Sequence, residues 1–125
     1  MERFQRRGWT PIDQAERATL FVASSARARL LGLALLDDLP EGVALLLPRC
    51  RSVHTFGMRF ALDIVFLDAG SSPLHVERAV PPGRVRSCRG ARSVLETRAG
   101  EADRLLALGL GITTPTARPA FPAGS

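Results

Sequence analysis

The chain has 125 residues, 46% of them hydrophobic, which is enough for one hydrophobic core but excludes two independently folded domains. Its charged amino terminus lacks the apolar segment of a secretion signal, and no apolar run approaches the roughly twenty residues that span a bilayer, so we expect a cytoplasmic protein without a membrane span. The net charge of +5 comes from arginine alone, and because no tyrosine and no arginine–aromatic block are present to stack on bases, the composition argues against a nucleic-acid partner.

The first predicted elements are a strand and a helix. Residues 18–23 (ATLFVA) predict a strand, and residues 26–36 have leucines at helical spacing after a serine that can cap a helix. Arg29 lies near the start of this helix, where a positive charge opposes the helix dipole. A specific acidic partner would explain its position, and Asp63 or Glu96 is the natural choice.

Short strands separated by turns follow, and they define the fold class. The hairpin turn is predicted at residues 68–73, and a helix with Leu105, Leu106 and Leu108 facing inward is predicted over 100–108. The remaining predicted strands cover residues 43–47, 62–67, 74–80, 93–98 and, closing the sheet, 112–114.

This pattern predicts a single α+β domain over residues 15–114, with loosely ordered termini at 1–14 and 115–125. We expect a compact β-rich structure. Its form is a curved antiparallel sheet or a partly closed barrel with one or two packed helices.

The segment from residue 49 to residue 68 holds the candidate site. Asp63 lies inside an apolar run whose β-branched and aromatic residues predict a buried strand, where a carboxylate is costly unless it is hydrogen-bonded or paired. We expect guanidinium groups from elsewhere in the chain to accompany it. Just upstream, Arg51, His54 and Thr55 supply a fixed cation, an imidazole and a hydroxyl.

Three blocks of the sequence resemble domain-of-unknown-function family 192. Residues 29–33 (RLLGL) are similar to the family's Arg-x-x-Gly-Leu. Residues 52–58 (SVHTFGM) followed by 62–68 (LDIVFLD) are similar to its central signature, and residues 94–100 (VLETRAG) are similar to its third block. The resemblance implies a compact β-rich fold without an established activity.

The blocks contain Arg29, His54, Asp63 and Glu96, and the first hypothesis is a binding or accessory module with a polar pocket. Arg29 and Arg51 would hold an unidentified small polar or anionic ligand, while His54, Thr55 and Asp63 orient it. An internal arginine–carboxylate network that only fixes the structure explains the same residues equally well. A scaffold that binds a protein partner through a sheet edge is a further alternative.

A hydrolase-like enzyme is the other alternative. His54 would act as general base, with Asp63 or Glu96 as its orienting acid. The chain has no nucleophile elbow and no phosphate-binding loop, so the sequence leaves open whether any reaction is catalysed. Cys50 and His54 could supply two metal ligands, but the sequence has no second pair with ligand spacing, so we expect no metal. Cys50 and Cys88 are too few for a disulfide framework. We also expect no cofactor.

The densest arginines of the chain follow in the last third of the sequence. A guanidinium group can bind two phosphate oxygens at once, which makes this run a candidate anion site. Solvated positions on loops and strands explain it equally well. The run consists of Arg84, Arg86, Arg89 and Arg92.

Overall fold

The computed structural model describes the backbone of residues 9–15 and all atoms of residues 18–23 and 39–108. These residues form eight strands and one short helix. The elements are β1 (Trp9–Ala15), β2 (Ala18–Ala23), β3 (Val43–Pro48), β4 (Ser52–His54), β5 (Leu62–Leu67), β6 (Pro73–Val80), β7 (Val85–Ser87), β8 (Ser93–Arg98) and α1 (Ala102–Ala107). None of the described residues belongs to a helix long and apolar enough to cross a bilayer.

Six strands form one mixed sheet in the order β1-β2-β3-β8-β5-β6. Neighbours are antiparallel except for β2 and β3, which run parallel with Phe21 opposite Leu45. The prediction of a wholly antiparallel sheet is wrong at this pair, because residues 24–42 form a connection long enough for the crossover that parallel strands require. The described sheet is open, with β1 and β6 at its edges, and is not closed into a barrel.

Each face of this sheet has its own hydrophobic cluster, because side chains alternate along a strand. The face that we call the β4 face is covered by Val53 and Met58, and β4 pairs with β7 in a separate two-stranded sheet. The opposite face, the α1 face, is covered by Ala102 and Leu105 of the helix. The β4 face carries Phe21, Leu45, Ile64, Phe66 and Val94, and the α1 face carries Leu20, Ala44, Val65, Leu67 and Leu95.

The strands predicted over residues 18–23, 62–67 and 93–98 are confirmed with the same bounds, and so is the hairpin between β5 and β6. The predicted burial of Leu108 is wrong, because α1 ends at Ala107 and leaves this side chain exposed. The short strands β4 and β7 were not predicted, since three residues are too few to show an alternating pattern.

The sequence predicts that residues 1–14 are loosely ordered, but residues 9–14 belong to β1, which pairs with β2 at one edge of the sheet. The helix predicted over residues 26–36 and the strand predicted over 112–114 lie outside the described residues.

Candidate functional site

Asp63 is the buried acid of β5, and backbone N–H groups surround it. Only 2% of its surface is exposed. Its Oδ1 accepts a hydrogen bond from the Ala79 N–H at 2.9 Å, and its Oδ2 accepts from the N–H groups of Gly100 at 2.9 Å and Ala102 at 3.0 Å. A carboxylate offers only acceptors, so these three donors satisfy it without a cation.

Two irregular backbone positions direct these donors at Asp63. In β6, Arg78 and Ala79 together oppose this single residue, and the resulting bulge leaves Ala79 at a φ of 51°. Gly100, at a φ of 91°, turns the chain from β8 into α1. Asp63 therefore fastens β6, the turn and the start of the helix to one another.

The guanidinium partner expected for Asp63 is not found among the described residues. The pKa of Arg78 is raised mainly by the hydrogen bond that Arg78 donates to Asp103. The negative charge of Asp63 makes a smaller contribution to this increase. The Arg78 Nη2 and the Asp103 Oδ1 are 2.7 Å apart. Asp63 is thus satisfied by backbone hydrogen bonds and not by the ion pair that the sequence predicts.

Glu96 is the second buried acid, and it lies on the β4 face between Leu45 of β3 and Ile64 of β5. Only 2% of its surface is exposed, and its Oε1 has no hydrogen-bond partner among the described residues. Burial raises the pKa of Glu96 from 4.5 to about 8. The folded protein therefore keeps this side chain protonated at neutral pH.

Thr55 is buried and joins two loops. Its Oγ1 donates to the Pro81 carbonyl at 2.8 Å and accepts from the Arg84 N–H at 2.7 Å. Its backbone carbonyl accepts from the N–H groups of Met58 and Gly83. The hydroxyl is engaged with the backbone on both sides and is closed to solvent, so it is not positioned to bind a ligand.

His54 precedes Thr55 but lies on the exposed side of β4. Its Nδ1 accepts a hydrogen bond from the Phe56 N–H at 3.2 Å, and the two rings stack with centroids 5.4 Å apart. In the neutral imidazole the accepting nitrogen has no proton, so Nε2 carries the proton and acts as a donor. The predicted pairing of His54 with Asp63 or Glu96 does not occur in the described part of the chain, which leaves the general-base hypothesis without its orienting acid.

Two adjoining cavities lie at one end of the β4–β7 sheet, and Arg51 lines both of them. The Cys50 N–H donates to the Arg92 carbonyl at 3.1 Å, and the Cys88 N–H donates to the Arg51 carbonyl at 3.0 Å, so backbone contacts join the loops around the cavities. The larger cavity, about 480 Å³, is lined by Arg49, Cys50, Arg51, Gly90, Ala91 and Arg92. The smaller, about 340 Å³, is lined by Arg51, Ser52, Ser87, Cys88 and Arg89.

Positive charge at these cavities is not balanced by the described acids. No acidic residue is among the described lining residues, and none of the lining arginines forms an ion pair with a described residue. Arginines elsewhere do so, as Arg78, Arg86 and Arg104 show. The four lining arginines are Arg49, Arg51, Arg89 and Arg92.

The two thiols beside the cavities point to backbone carbonyls. The Cys50 Sγ lies 3.2 Å from the Ser52 carbonyl oxygen, and the Cys88 Sγ lies 3.6 Å from that of Arg89. Within residues 18–23 and 39–108, no three or more His, Cys, Asp or Glu side chains come together as metal ligands.

The structure divides the predicted ligand-binding residues among different places. Asp63 and Thr55 are sealed by backbone hydrogen bonds, whereas Arg51 lines the cavities and His54 is exposed on the adjoining strand. Arg29 lies outside the described residues.

Sequence reasoning missed Arg49, and it took Arg89 and Arg92 only as members of a dense run. The signal that could have found the site is the pair of arginines that flanks Cys50 directly after β3, together with the arginines that directly precede β8.

In the described part of the chain, an open mixed sheet and one short helix make a β-rich α+β structure. The chain belongs to the family DUF192, described as an uncharacterised ACR, which matches residues 9–110. Among proteins with curated descriptions, none matches the chain.

Two solved structures share the fold. A protein of unknown function from Novosphingobium aromaticivorans DSM 12444 is 17% identical, with a TM-score of 0.64 and 78% of each chain covered. A proposed transcription regulator from Sinorhizobium meliloti 1021 is 21% identical, with a TM-score of 0.63, and 75% of this chain and 78% of that chain are covered. At such identities the likeness concerns the fold alone.

Proposed function

We propose that this protein is a small binding module that holds an anionic ligand at the two arginine-lined cavities. The observation that supports the proposal is the group of four guanidinium side chains, none of which is paired with a described acid. Guanidinium groups bind carboxylate and phosphate oxygens through charge-assisted, often bidentate hydrogen bonds. The four are Arg49, Arg51, Arg89 and Arg92.

The size and charge of the site agree with a small anion. Cavities of about 480 and 340 Å³ fall within the range of small-molecule sites. The net charge of +5 favours the approach of anions from solution. Arg51 lines both cavities and is therefore the expected principal contact of the ligand. The pocket proposed here lies at this end of the β4–β7 sheet and not around Asp63, as the sequence predicts.

Calorimetric titration with inorganic phosphate tests the proposal. Arg51→Ala should weaken phosphate binding by about tenfold, because a hydrogen bond to a charged group is lost. Arg78→Ala is the matched control: it removes the same charge, but Arg78 lies on β6 and lines neither cavity. Equal losses in the two variants, or no binding of phosphate to the unaltered protein, would contradict the proposal.

Two broader expectations accompany this function. A single domain over residues 15–114 and a cytoplasmic location are both predictions from the sequence. Limited proteolysis would test the domain bounds, and fractionation of the source cells would test the location.

A further inference from the structure

A line of exposed side chains, which we call the outer strip, runs from the smaller cavity along the solvent side of the β4–β7 sheet. Residues two apart on a strand share a face, so the Ser52–Ser87 pair and the His54–Val85 pair follow one another on this side. The Ser87 hydroxyl donates to the Ser52 Oγ at 2.9 Å, and both serines also line the smaller cavity. The outer strip consists of Ser52, His54, Phe56, Val85 and Ser87.

The far end of the outer strip is an apolar platform. Phe56 and Val85 each leave 54% of their surface exposed. The His54 ring stacks on Phe56 at an interplanar angle of 29°, so two flat rings are held in place together. Two residues along a strand span about 6.5 Å, so the His54–Val85 pair follows the serine pair at roughly the length of one sugar ring, and Phe56 comes after the end of β4.

Three kinds of contact therefore follow one another in a line. Arg51 and Arg89 offer guanidinium groups at the cavity, Ser52 and Ser87 offer hydroxyls next to them, and Phe56 ends the line with an exposed ring. A bare anion would use only the first of these, and an apolar ligand only the last. A ligand that uses all three has a phosphate, a hydroxylated spacer and a planar ring in that order.

We infer that the ligand is a free nucleoside monophosphate, an inference that rests on the proposed anion-binding function. The phosphate binds between Arg51 and Arg89, the sugar lies beside the two serines, and the base stacks on Phe56. Aromatic rings stack on every base, so the platform recognises the presence of a base more than its identity.

Titration with adenosine 5′-monophosphate, ribose 5-phosphate and inorganic phosphate tests this inference. The nucleotide should bind about tenfold more tightly than the sugar phosphate, because only the nucleotide has a base to stack. Phe56→Ala should abolish that difference and leave the affinity for ribose 5-phosphate unchanged. Phe56→Leu keeps an apolar side chain but removes the ring, and it should also lose the difference.

Leu108→Ala is the matched control, because it removes an exposed apolar side chain, 43% exposed, at the end of α1. It should leave the affinity for all three ligands unchanged. Equal affinities for the nucleotide and the sugar phosphate would overturn the inference while the proposed function stands. Absence of binding by all three ligands would overturn both. Tighter binding of a single-stranded oligoadenylate than of the mononucleotide would overturn the assignment to a free nucleotide.

Discussion

Asp63 and Glu96 are two acids with equal burial and opposite surroundings. They lie at adjacent register positions, since Asp63 is opposite Thr97 and Glu96 is opposite Ile64, and the alternation of side chains puts them on opposite faces of the sheet. Each leaves 2% of its surface exposed. Three backbone N–H groups satisfy Asp63 on the α1 face, whereas the Oε1 of Glu96 has no described partner on the β4 face.

The difference comes from the backbone around each acid. Glu96 belongs to β8, which pairs with β3 on one side and β5 on the other, so the nearby N–H groups are used in regular strand pairing. Asp63 lies opposite a bulge and near a glycine turn, and both irregularities release N–H groups from that pairing. Whether a buried acid in this sheet is hydrogen-bonded therefore depends on whether the neighbouring backbone is irregular enough to offer free N–H groups, and not on how deeply the acid is buried.

The largest expected effect in this comparison is a pH dependence of stability caused by Glu96. Between pH 4.5 and about 8 the folded protein keeps a proton that the unfolded chain has released. Raising the pH through this window therefore favours the unfolded state, by at most about 1.4 kcal/mol per pH unit. Glu96→Gln cannot titrate, so its free energy of unfolding should increase relative to the unaltered protein from pH 5 to pH 8, as measured by urea denaturation.

The comparison with Glu96→Gln isolates one group. All other titratable groups are present in both proteins and cancel in the difference. A constant difference between the two proteins across the window would remove the contrast with Asp63, because it would mean that folding provides Glu96 with a partner for its charge.

The next effect concerns Asp63. Asp63→Asn replaces one acceptor oxygen with an NH₂ group that faces backbone donors, so we expect a loss of about 3 kcal/mol in the free energy of unfolding. Asp68→Asn is the matched control: a single oxygen of Asp68 accepts from the N–H groups of Gly70 and Ser72, each at 2.9 Å, and asparagine retains such an oxygen. The control should lose less than about 1 kcal/mol. Similar losses in the two variants would show that the network around Asp63 is no stronger than a surface turn.

The strand that carries Asp63 could be predicted from the sequence, but the way in which the acid is satisfied could not. The apolar run around Asp63 indicates a buried strand directly, and all six residues of β5 are buried. The donors Ala79 and Gly100 lie 16 and 37 residues further along the chain. The sequence around each donor has no pattern that predicts a hydrogen bond from its N–H group to Asp63. A bulge has no short sequence signature, so a guanidinium partner was the simpler expectation.

The candidate site shows the same limit. Arg51 could be predicted because it stands next to a block rich in polar groups. Arg89 and Arg92 reach the same cavities only because the loops before β4 and after β7 meet, and this depends on two strands of three residues each. Local patterns thus identify the long strands and single residues, whereas the site depends on the pairing of short segments.

The smallest expected effect tests the turn that delivers a donor to Asp63. Gly100 has a φ of 91°, and a Cβ added there would meet no atom within 4 Å, so Gly100→Ala changes only the strain of the backbone. We expect a loss of about 1 to 2 kcal/mol, the typical penalty for a left-handed residue with a side chain. Gly70→Ala is the control, because Gly70 does not adopt such a φ and its added Cβ would lie 3.5 Å from the Asp68 Oδ1, an ordinary contact. Urea denaturation of both variants gives the comparison. If Gly100→Ala is no less stable than Gly70→Ala, the turn does not need its left-handed conformation, and Asp63 is held mainly by β6 and the start of α1.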